Sequence, residues 1–175
     1  MLVGRGGSGK STTAVSAAVH GLKYAGDDYI VLRQQPEPSA LSAYCSAKLN
    51  EDVLSGLPAL QPHVVNPDRQ ATDKALMFLG DSFRSAWISE LPLKAIVATK
   101  MTGGKVVVRK SSPTLVFAEI ASSTIFQMPG SGARTLSVLK QIFQTLPVYT
   151  FELGVDFAEN ARILKDFCLD FGAHR

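Results

Sequence analysis

Eight residues near the start of the chain constrain its fold more than any other stretch. Residues 4–11, with the sequence GRGGSGKS, match the pattern G-x-x-x-x-G-K-[ST] of a phosphate-binding loop. Glycines lack a Cβ, so successive backbone N–H groups can turn inward around an anion. Lys10 supplies a positive charge for the β- and γ-phosphates, and the Ser11 hydroxyl is placed to ligate Mg²⁺. The motif by itself therefore predicts a phosphate-binding site.

The residues after the loop favour this interpretation over a glycine-rich turn ahead of an ordinary helix. Residues 12–22 are rich in alanine and predict a helix that ends near Gly21. The positive end of that helix would point at the same anion as the loop. Loop and helix together predict one binding site for a phosphate.

Only three residues precede the loop, whereas a loop of this kind normally follows a buried strand of about five or six residues. We therefore expect a short first strand. We also expect that the chain is an N-terminally truncated fragment or that its true start lies upstream.

Two neighbouring carboxylates are the strongest candidates for catalysis and metal binding. Asp27 and Asp28 lie 17 and 18 residues after Lys10, between two short β-like runs. That is enough chain for one crossover helix and a return to the sheet, so the pair is predicted to reach the loop. A Mg²⁺-nucleotide site needs such carboxylates. The alternative is a solvated acidic turn.

The rest of the chain alternates predicted strands and helices. Strands are predicted at residues 74–79, 93–99, 106–108 and 148–153, and helices at 43–49, 83–91, 112–121, 134–146 and 156–171. Residues 34–42 are predicted to be a loop, and residues 102–104 a hairpin-type turn. This alternation predicts a three-layer α/β fold with a mostly parallel or mixed sheet, in a single domain spanning residues 1–175.

A second glycine-rich stretch, residues 129–132, precedes Arg134 at a predicted helix start. It could bind a substrate phosphate, but a turn that leads into a helix is the interpretation we favour.

Composition excludes several classes of protein. The chain has a net charge of +3, 46% hydrophobic and 19% charged residues, and no cluster of Lys and Arg that would indicate nucleic-acid binding. No apolar run is long enough to predict a membrane helix, and no signal peptide fits the N-terminal residues. Cys45 and Cys168 are isolated, so we expect neither a disulfide framework nor a metal site from them. A cytoplasmic location is the expectation.

The segments GRGGSGKSTTA and YAGDDYIVL, in residues 4–32, resemble the HPr kinase/phosphorylase-like branch of the P-loop proteins. That branch shares its nucleotide-binding core with phosphoenolpyruvate carboxykinase. A looser likeness to uncharacterised bacterial HPr-kinase-like proteins continues through residues 93–97, 126–130 and 149–154. Two features of the family have no counterpart in this chain: an upstream segment with a histidine that assists catalysis, and a later glycine-rich signature at the acceptor site.

The resemblance implies a role for each residue of the site. One Asp of the pair would help Ser11 to hold Mg²⁺, with Asp27 as the candidate ligand, and the other would act as general base. Lys10 would contact the β- and γ-phosphates. The residues implied to bind the triphosphate are Gly4, Arg5, Gly6, Gly7, Ser8, Gly9, Lys10, Ser11 and Thr12.

The expected activity is phosphotransfer from ATP, with Mg²⁺, to a hydroxyl acceptor, such as a serine on a protein or peptide. The catalytic candidates are Lys10, Asp27 and Asp28. Two alternatives stay open at this point: a kinase for a small metabolite, and a regulatory module that binds a nucleotide without transferring a group. We expect no nucleic-acid or membrane partner, and an oligomer is possible.

Overall fold

The computed structural model describes residues 1–82, 84–125 and 132–173, which form a mixed α/β fold. The strands are β1 (Leu2–Val3), β2 (Ile30–Arg33), β3 (Ser39–Ser42), β4 (Ser46–Leu49), β5 (Ala75–Phe78), β6 (Glu90–Pro92), β7 (Ile96–Met101), β8 (Val107–Lys110) and β9 (Val148–Leu153). The helices are α1 (Lys10–Val19), α2 (Glu51–Ser55), α3 (Leu79–Ser82), α4 (Pro113–Ile125), α5 (Gly132–Thr145) and α6 (Phe157–Ala173), with a 3₁₀ helix at Pro58–His63.

The chain divides into two compact units. Unit 1 comprises Met1–Lys10, Leu32–Ala40 and Pro92–Val155. Unit 2 comprises Ser11–Val31, Leu41–Leu91 and Asp156–Arg175. Strands β2, β3 and β6 form a separate three-stranded sheet, with the order β2-β3-β6.

Unit 1 contains a four-stranded mixed sheet with the order β1-β7-β9-β8. Strands β1, β7 and β9 are parallel, and β8 is antiparallel to β9. The register pairs Val3 with Ala98 and Ile96 with Val148. A mixed sheet within an α/β fold agrees with the sequence prediction.

Strand β7 has a neighbour on both edges. Its first four residues are buried, and only Lys100 and Met101 at its carboxyl end are exposed. A continuous apolar run of this kind is typical of an interior strand in a parallel sheet. The predicted hairpin between β7 and β8 is therefore wrong, because β9 lies between them. The turn residues Thr102 and Gly103 instead donate their backbone N–H groups to the carbonyl of Leu153.

Helices α4 and α5 also belong to unit 1. Helix α4 begins at Pro113, as the Ser-Pro pair predicts, and extends four residues beyond its predicted end. The two helices pack through Phe117 and Phe143, whose ring centroids lie 5.4 Å apart in a T-shaped arrangement. The predicted strand at residues 148–153 coincides with β9.

Unit 2 is built around an antiparallel pair, β4 and β5, in which Ala47 lies opposite Met77. The helix predicted at residues 43–49 is wrong. Ala47 and Leu49 are buried whereas Lys48 is exposed, which is the two-residue period of a strand. Pairing with β5 supplies the hydrogen bonds that decide this short segment in favour of a strand. The buried core is formed by Val15, Ala18, Tyr24, Ala47, Leu49, Val53, Leu54, Leu57, Leu60, Ala75, Met77, Leu79 and Ala86.

One further helix prediction is also wrong, and one loop prediction is correct only for residues 34–38. Residues 84–91 form turns and the start of β6 rather than a helix, and residue 83 lies outside the described residues. Trp87 forms an isolated parallel β-bridge with Tyr24. The backbone groups that form this bridge are therefore not available for the hydrogen bonds of a helix. The predicted loop at residues 34–42 ends in strand β3.

Helix α6 begins where the sequence predicts. The Asp156 carboxylate accepts hydrogen bonds from the backbone N–H groups of Ala158 at 2.8 Å and Glu159 at 3.2 Å, which caps the first turn. Within the described residues, no helix has both the length and the apolar character needed to cross a membrane.

Candidate functional site

The glycine-rich loop connects the end of β1 at Val3 to the start of α1 at Lys10. Three of its glycines have positive φ angles: Gly4 at 148°, Gly7 at 77° and Gly9 at 89°. Side chains with a Cβ rarely adopt this region, so the backbone conformation itself requires glycine at these positions.

Close packing adds a second requirement at two of these glycines. A Cβ on Gly9 would lie 2.6 Å from Cδ1 of Leu153 and 3.1 Å from Sδ of Met101. A Cβ on Gly4 would lie 2.5 Å from Oγ of Ser8. By contrast, a Cβ on Gly6 or Gly7 would meet no atom within 4 Å. The loop therefore packs against β7 and β9 on one side and faces open space at its tip.

Two hydroxyl groups tie the loop to the neighbouring strand. Ser8 Oγ lies 2.9 Å from Thr99 Oγ1, and Thr99 Oγ1 donates to the carbonyl of Val3 at 3.4 Å. A hydroxyl has one proton, so when Thr99 donates to Val3, Ser8 must donate to Thr99. This chain of hydrogen bonds runs from the loop through buried Thr99 to strand β1, and it holds Ser8 in place.

The Lys10 side chain folds back over the loop. Its ammonium group donates to the carbonyl of Arg5 at 2.9 Å, and the Ser8 N–H donates to the same carbonyl at 3.2 Å. The positive charge is thereby held against the loop backbone. Arg5 itself forms an exposed ion pair with Glu119 at 3.9 Å, which contributes little stability in water.

The first turn of α1 contains Lys10, Ser11 and Thr12 and no acidic residue. The first backbone N–H groups of a helix have no partner within the helix, and its N-terminus carries a partial positive charge. No carboxylate of this first turn offsets that charge. The arrangement of loop, lysine and helix start is suited to an anion, and phosphate oxygens fit the donors present.

Asp27 and Asp28 lie in unit 2, just before β2, where Asp27 is half-buried and Asp28 is exposed. Burial raises the pKa of the Tyr24 hydroxyl far above its usual value, and Asp27 is the largest of the charged neighbours that raise it further. Partial burial, with Tyr29 and then the two carboxylates, also raises the pKa of Tyr44. Within unit 2 both carboxylates thus act electrostatically on the hydroxyl groups of Tyr24 and Tyr44. Their approach to the loop stays a prediction.

Residues for a magnesium ion are present, although they form no all-protein cage. In the described part of the chain, no group of three or more His, Cys, Asp and Glu side chains could hold a metal. Mg²⁺ needs no such group, because it is commonly bound by one or two carboxylates, water and the phosphates of a substrate. The Ser11 hydroxyl and the Asp27 carboxylate are oxygen ligands of the required kind.

Sequence reasoning missed Thr99, Met101 and Leu153, which pack against the loop on the side that faces β7 and β9. Their only sequence signal is a hydroxyl and two apolar side chains at the carboxyl ends of predicted strands.

The anion site considered at residues 129–132 lies outside the described residues except for Gly132. Arg134 is exposed in the first turn of α5.

No protein-family model matches the chain, and no curated protein matches it significantly.

Proposed function

We propose that this chain is an ATP- and Mg²⁺-dependent phosphotransferase with a P-loop nucleotide-binding fold. Its acceptor is a hydroxyl group, and serine on a protein or peptide is the acceptor that the sequence resemblance favours. The proposal includes the HPr-kinase-like assignment made from residues 4–32.

The observation that carries this proposal is the geometry of the loop. Its glycines adopt positive φ angles at Gly4, Gly7 and Gly9, and Lys10 folds over the loop at the start of α1. The loop tip at Gly6 and Gly7 faces open space, which leaves room for a phosphate chain. A parallel strand, a glycine loop and a helix in this order are the parts from which a triphosphate site is built.

The residues divide the work of phosphoryl transfer as follows. The loop N–H groups and Lys10 bind the phosphates and stabilise the charge that develops on the transferred group. The bond between the γ-phosphorus and the bridging oxygen breaks, the acceptor oxygen bonds to phosphorus, and ADP leaves. The acceptor proton passes to one carboxylate of Asp27 and Asp28. Ser11 and the other carboxylate would hold Mg²⁺, which neutralises phosphate charge when bound.

Two substitutions test the assignment. Lys10→Ala should weaken Mg·ATP binding at least about tenfold, since a hydrogen bond to a charged group contributes roughly 1.5–3 kcal/mol. Asp28→Asn should lower phosphotransfer about 10²-fold or more while the Kd for Mg·ATP changes by less than about threefold. Titration calorimetry measures binding, and transfer of radiolabelled phosphate from ATP to a set of serine peptides measures activity.

Lys140→Ala is the matched control, because Lys140 is an exposed lysine of α5 in the same unit as Lys10. It should bind and transfer like the wild type. Wild-type rates in both Lys10→Ala and Asp28→Asn would overturn the proposal.

One observation favours a second function, a nucleotide-responsive module that transfers no group. Strand β7 contacts the loop through the hydroxyl of Thr99 and the side chain of Met101, whereas many P-loop enzymes hold their metal with an aspartate of the Walker-B strand. If neither Asp27 nor Asp28 contacts the bound nucleotide or its metal ion, the protein binds ATP without transferring a phosphoryl group. Mg·ATP binding by calorimetry, together with no transfer to serine peptides, small-molecule alcohols or water, would select this function.

A further inference from the structure

Two tyrosine rings are exposed beside the acidic pair in unit 2. Tyr29 and Tyr44 retain 44% and 48% of their accessible surface, and their ring centroids lie 6.1 Å apart at an angle of 47°. Asp27 and Asp28 directly precede Tyr29 in the chain. We call these four residues the acidic tyrosine surface.

The same unit shows how a tyrosine with a structural role is placed. Tyr24 is buried in the core, and its hydroxyl donates to the carbonyl of Ser46 at 3.3 Å. Tyr29 and Tyr44 keep almost half of their surface in water instead. Exposed tyrosines of this kind are enriched in binding surfaces, because a rigid ring offers a large contact area at a small entropic cost.

The two units of the chain differ in net charge. Unit 1 has ten Lys and Arg residues against three Asp and Glu, whereas unit 2 has eight against twelve. The basic unit contains the phosphate-binding loop, which suits an anionic nucleotide. The acidic unit contains the acidic tyrosine surface, which suits a cation.

We propose that the acidic tyrosine surface binds a lysine or arginine side chain of the acceptor, so that the acceptor is a basic peptide segment. The statement about the acceptor rests on the proposed phosphotransferase function. Binding of the basic segment does not itself require transfer.

Both components of the surface recognise a cation. The face of a tyrosine ring attracts an ammonium or guanidinium group, and a guanidinium can also stack flat on the ring. The carboxylates that precede Tyr29 add Coulomb attraction over a longer range. An acidic peptide would meet repulsion from the same carboxylates, so the surface discriminates by charge as well as by contact.

The test uses two fluorescently labelled nine-residue peptides, each with one central serine. One has three arginines beside the serine, and the other has glutamates in their place. Binding is measured by fluorescence anisotropy without nucleotide, and Mg·ATP binding is measured separately by calorimetry. The variants are Tyr29→Leu, Tyr44→Leu and the double variant, with Tyr29→Phe and Tyr44→Phe as matched controls that keep the ring.

The arginine peptide should bind at least about tenfold more tightly than the glutamate peptide. Each leucine variant should weaken that binding by about threefold and the double variant by about tenfold, as expected for exposed cation–π contacts. The phenylalanine variants should bind like the wild type, and the Kd for Mg·ATP should stay constant throughout. In transfer assays the leucine variants should raise KM for the peptide without lowering kcat.

Equal binding of the two peptides, or leucine variants that bind like the wild type, would overturn the inference. A dimer in sedimentation that the leucine variants abolish, without peptide binding, would overturn it in favour of a second copy of this chain. If the wild type fails to bind Mg·ATP but still binds the arginine peptide through the tyrosines, the phosphotransferase proposal fails while the basic-segment site stands.

Discussion

Gly9 shows at the scale of one residue how the loop depends on its glycines. Its φ of 89° disfavours any side chain, and an added Cβ would lie 2.6 Å from Cδ1 of Leu153. Leu153 is buried in β9 and has little room to move. Relaxation of either the loop backbone or Leu153 would therefore cost free energy.

Gly9→Ala should destabilise the protein by about 1–3 kcal/mol and weaken Mg·ATP binding at least about tenfold, because the loop must distort to accept the Cβ. Gly6→Ala is the matched control for stability, since a Cβ there meets no atom within 4 Å. Urea unfolding measures the first effect and calorimetry the second. Equal stability of the two variants would contradict the packing that we describe.

Tyr24 predicts a dependence of stability on pH. Burial, and secondarily Asp27, raises the pKa of its hydroxyl in the folded state above the usual value near 10. Above pH 10 the unfolded chain loses this proton while the folded chain keeps it. The unfolded state then binds fewer protons, so the free energy of unfolding falls as pH rises.

The contribution of Tyr24 should be fully present below pH 10 and should decline above it by up to about 1.4 kcal/mol per pH unit. Tyr24→Phe should lose about 0.5–1.5 kcal/mol near neutral pH with its hydrogen bond to Ser46, and should show a flatter decline above pH 10. Urea unfolding from pH 8 to 11 compares it with wild type and with Tyr29→Phe. A variant whose slope matches that of wild type would show that Tyr24 does not titrate abnormally.

At the scale of secondary-structure elements, β7 connects the sheet to the loop. Its buried residues place it between β1 and β9, and Thr99 near its carboxyl end reaches Ser8. The loop conformation is thereby tied to a strand 91 residues away in sequence. We infer that β7 positions the loop for its ligand.

Thr99→Val keeps the shape of the side chain but removes the hydroxyl. It should destabilise the protein by about 1–3 kcal/mol and weaken Mg·ATP binding several-fold, because Ser8 loses its partner. Thr99→Ser should restore most of the affinity. In a double-mutant cycle with Ser8→Ala, the two losses should not add, since both variants remove the same hydrogen bond. Strictly additive losses would mean that the two hydroxyls act independently.

Local pattern was a reliable guide to some elements and a poor one to others. The strand at residues 148–153 and the helix that starts at Pro113 were predicted correctly, because alternation and a proline in the first turn are local signals. Strand β4 was predicted as a helix, because four residues cannot separate the two periods. Its pairing with β5, about 30 residues later, decided the outcome.

At the scale of the whole molecule, the units differ in charge, and this predicts an effect of salt. The excess of Lys and Arg in unit 1 should attract a nucleotide over a distance that added salt shortens, from about 10 Å at 0.1 M to about 3 Å at 1 M. The association rate constant of a fluorescent ATP analogue should fall severalfold between 50 mM and 500 mM NaCl, while its dissociation rate changes less.

Stopped-flow fluorescence measures both rates. Lys105→Gln, which removes an exposed positive charge of unit 1 that is not part of residues 4–11, should reduce the salt dependence of association slightly and leave dissociation unchanged. An association rate that does not respond to salt would show that the charge of unit 1 does not steer the ligand.

The sequence by itself determined the parts of the site that depend on neighbouring residues. The glycines, Lys10, Ser11 and the start of α1 lie within a few residues of one another, so a single motif predicts their chemistry. It also indicated strand β7 from a run of apolar residues and strand β9 from alternation, since both patterns are local.

Only the tertiary structure decided which distant segments meet. No local pattern could show that β8 pairs with β9 instead of β7, or that Thr99 hydrogen-bonds Ser8. It also brought Tyr44 against Tyr29, beside the acidic pair. Each of these contacts joins residues that are far apart in sequence, and their energies depend on how the buried strands and helices pack.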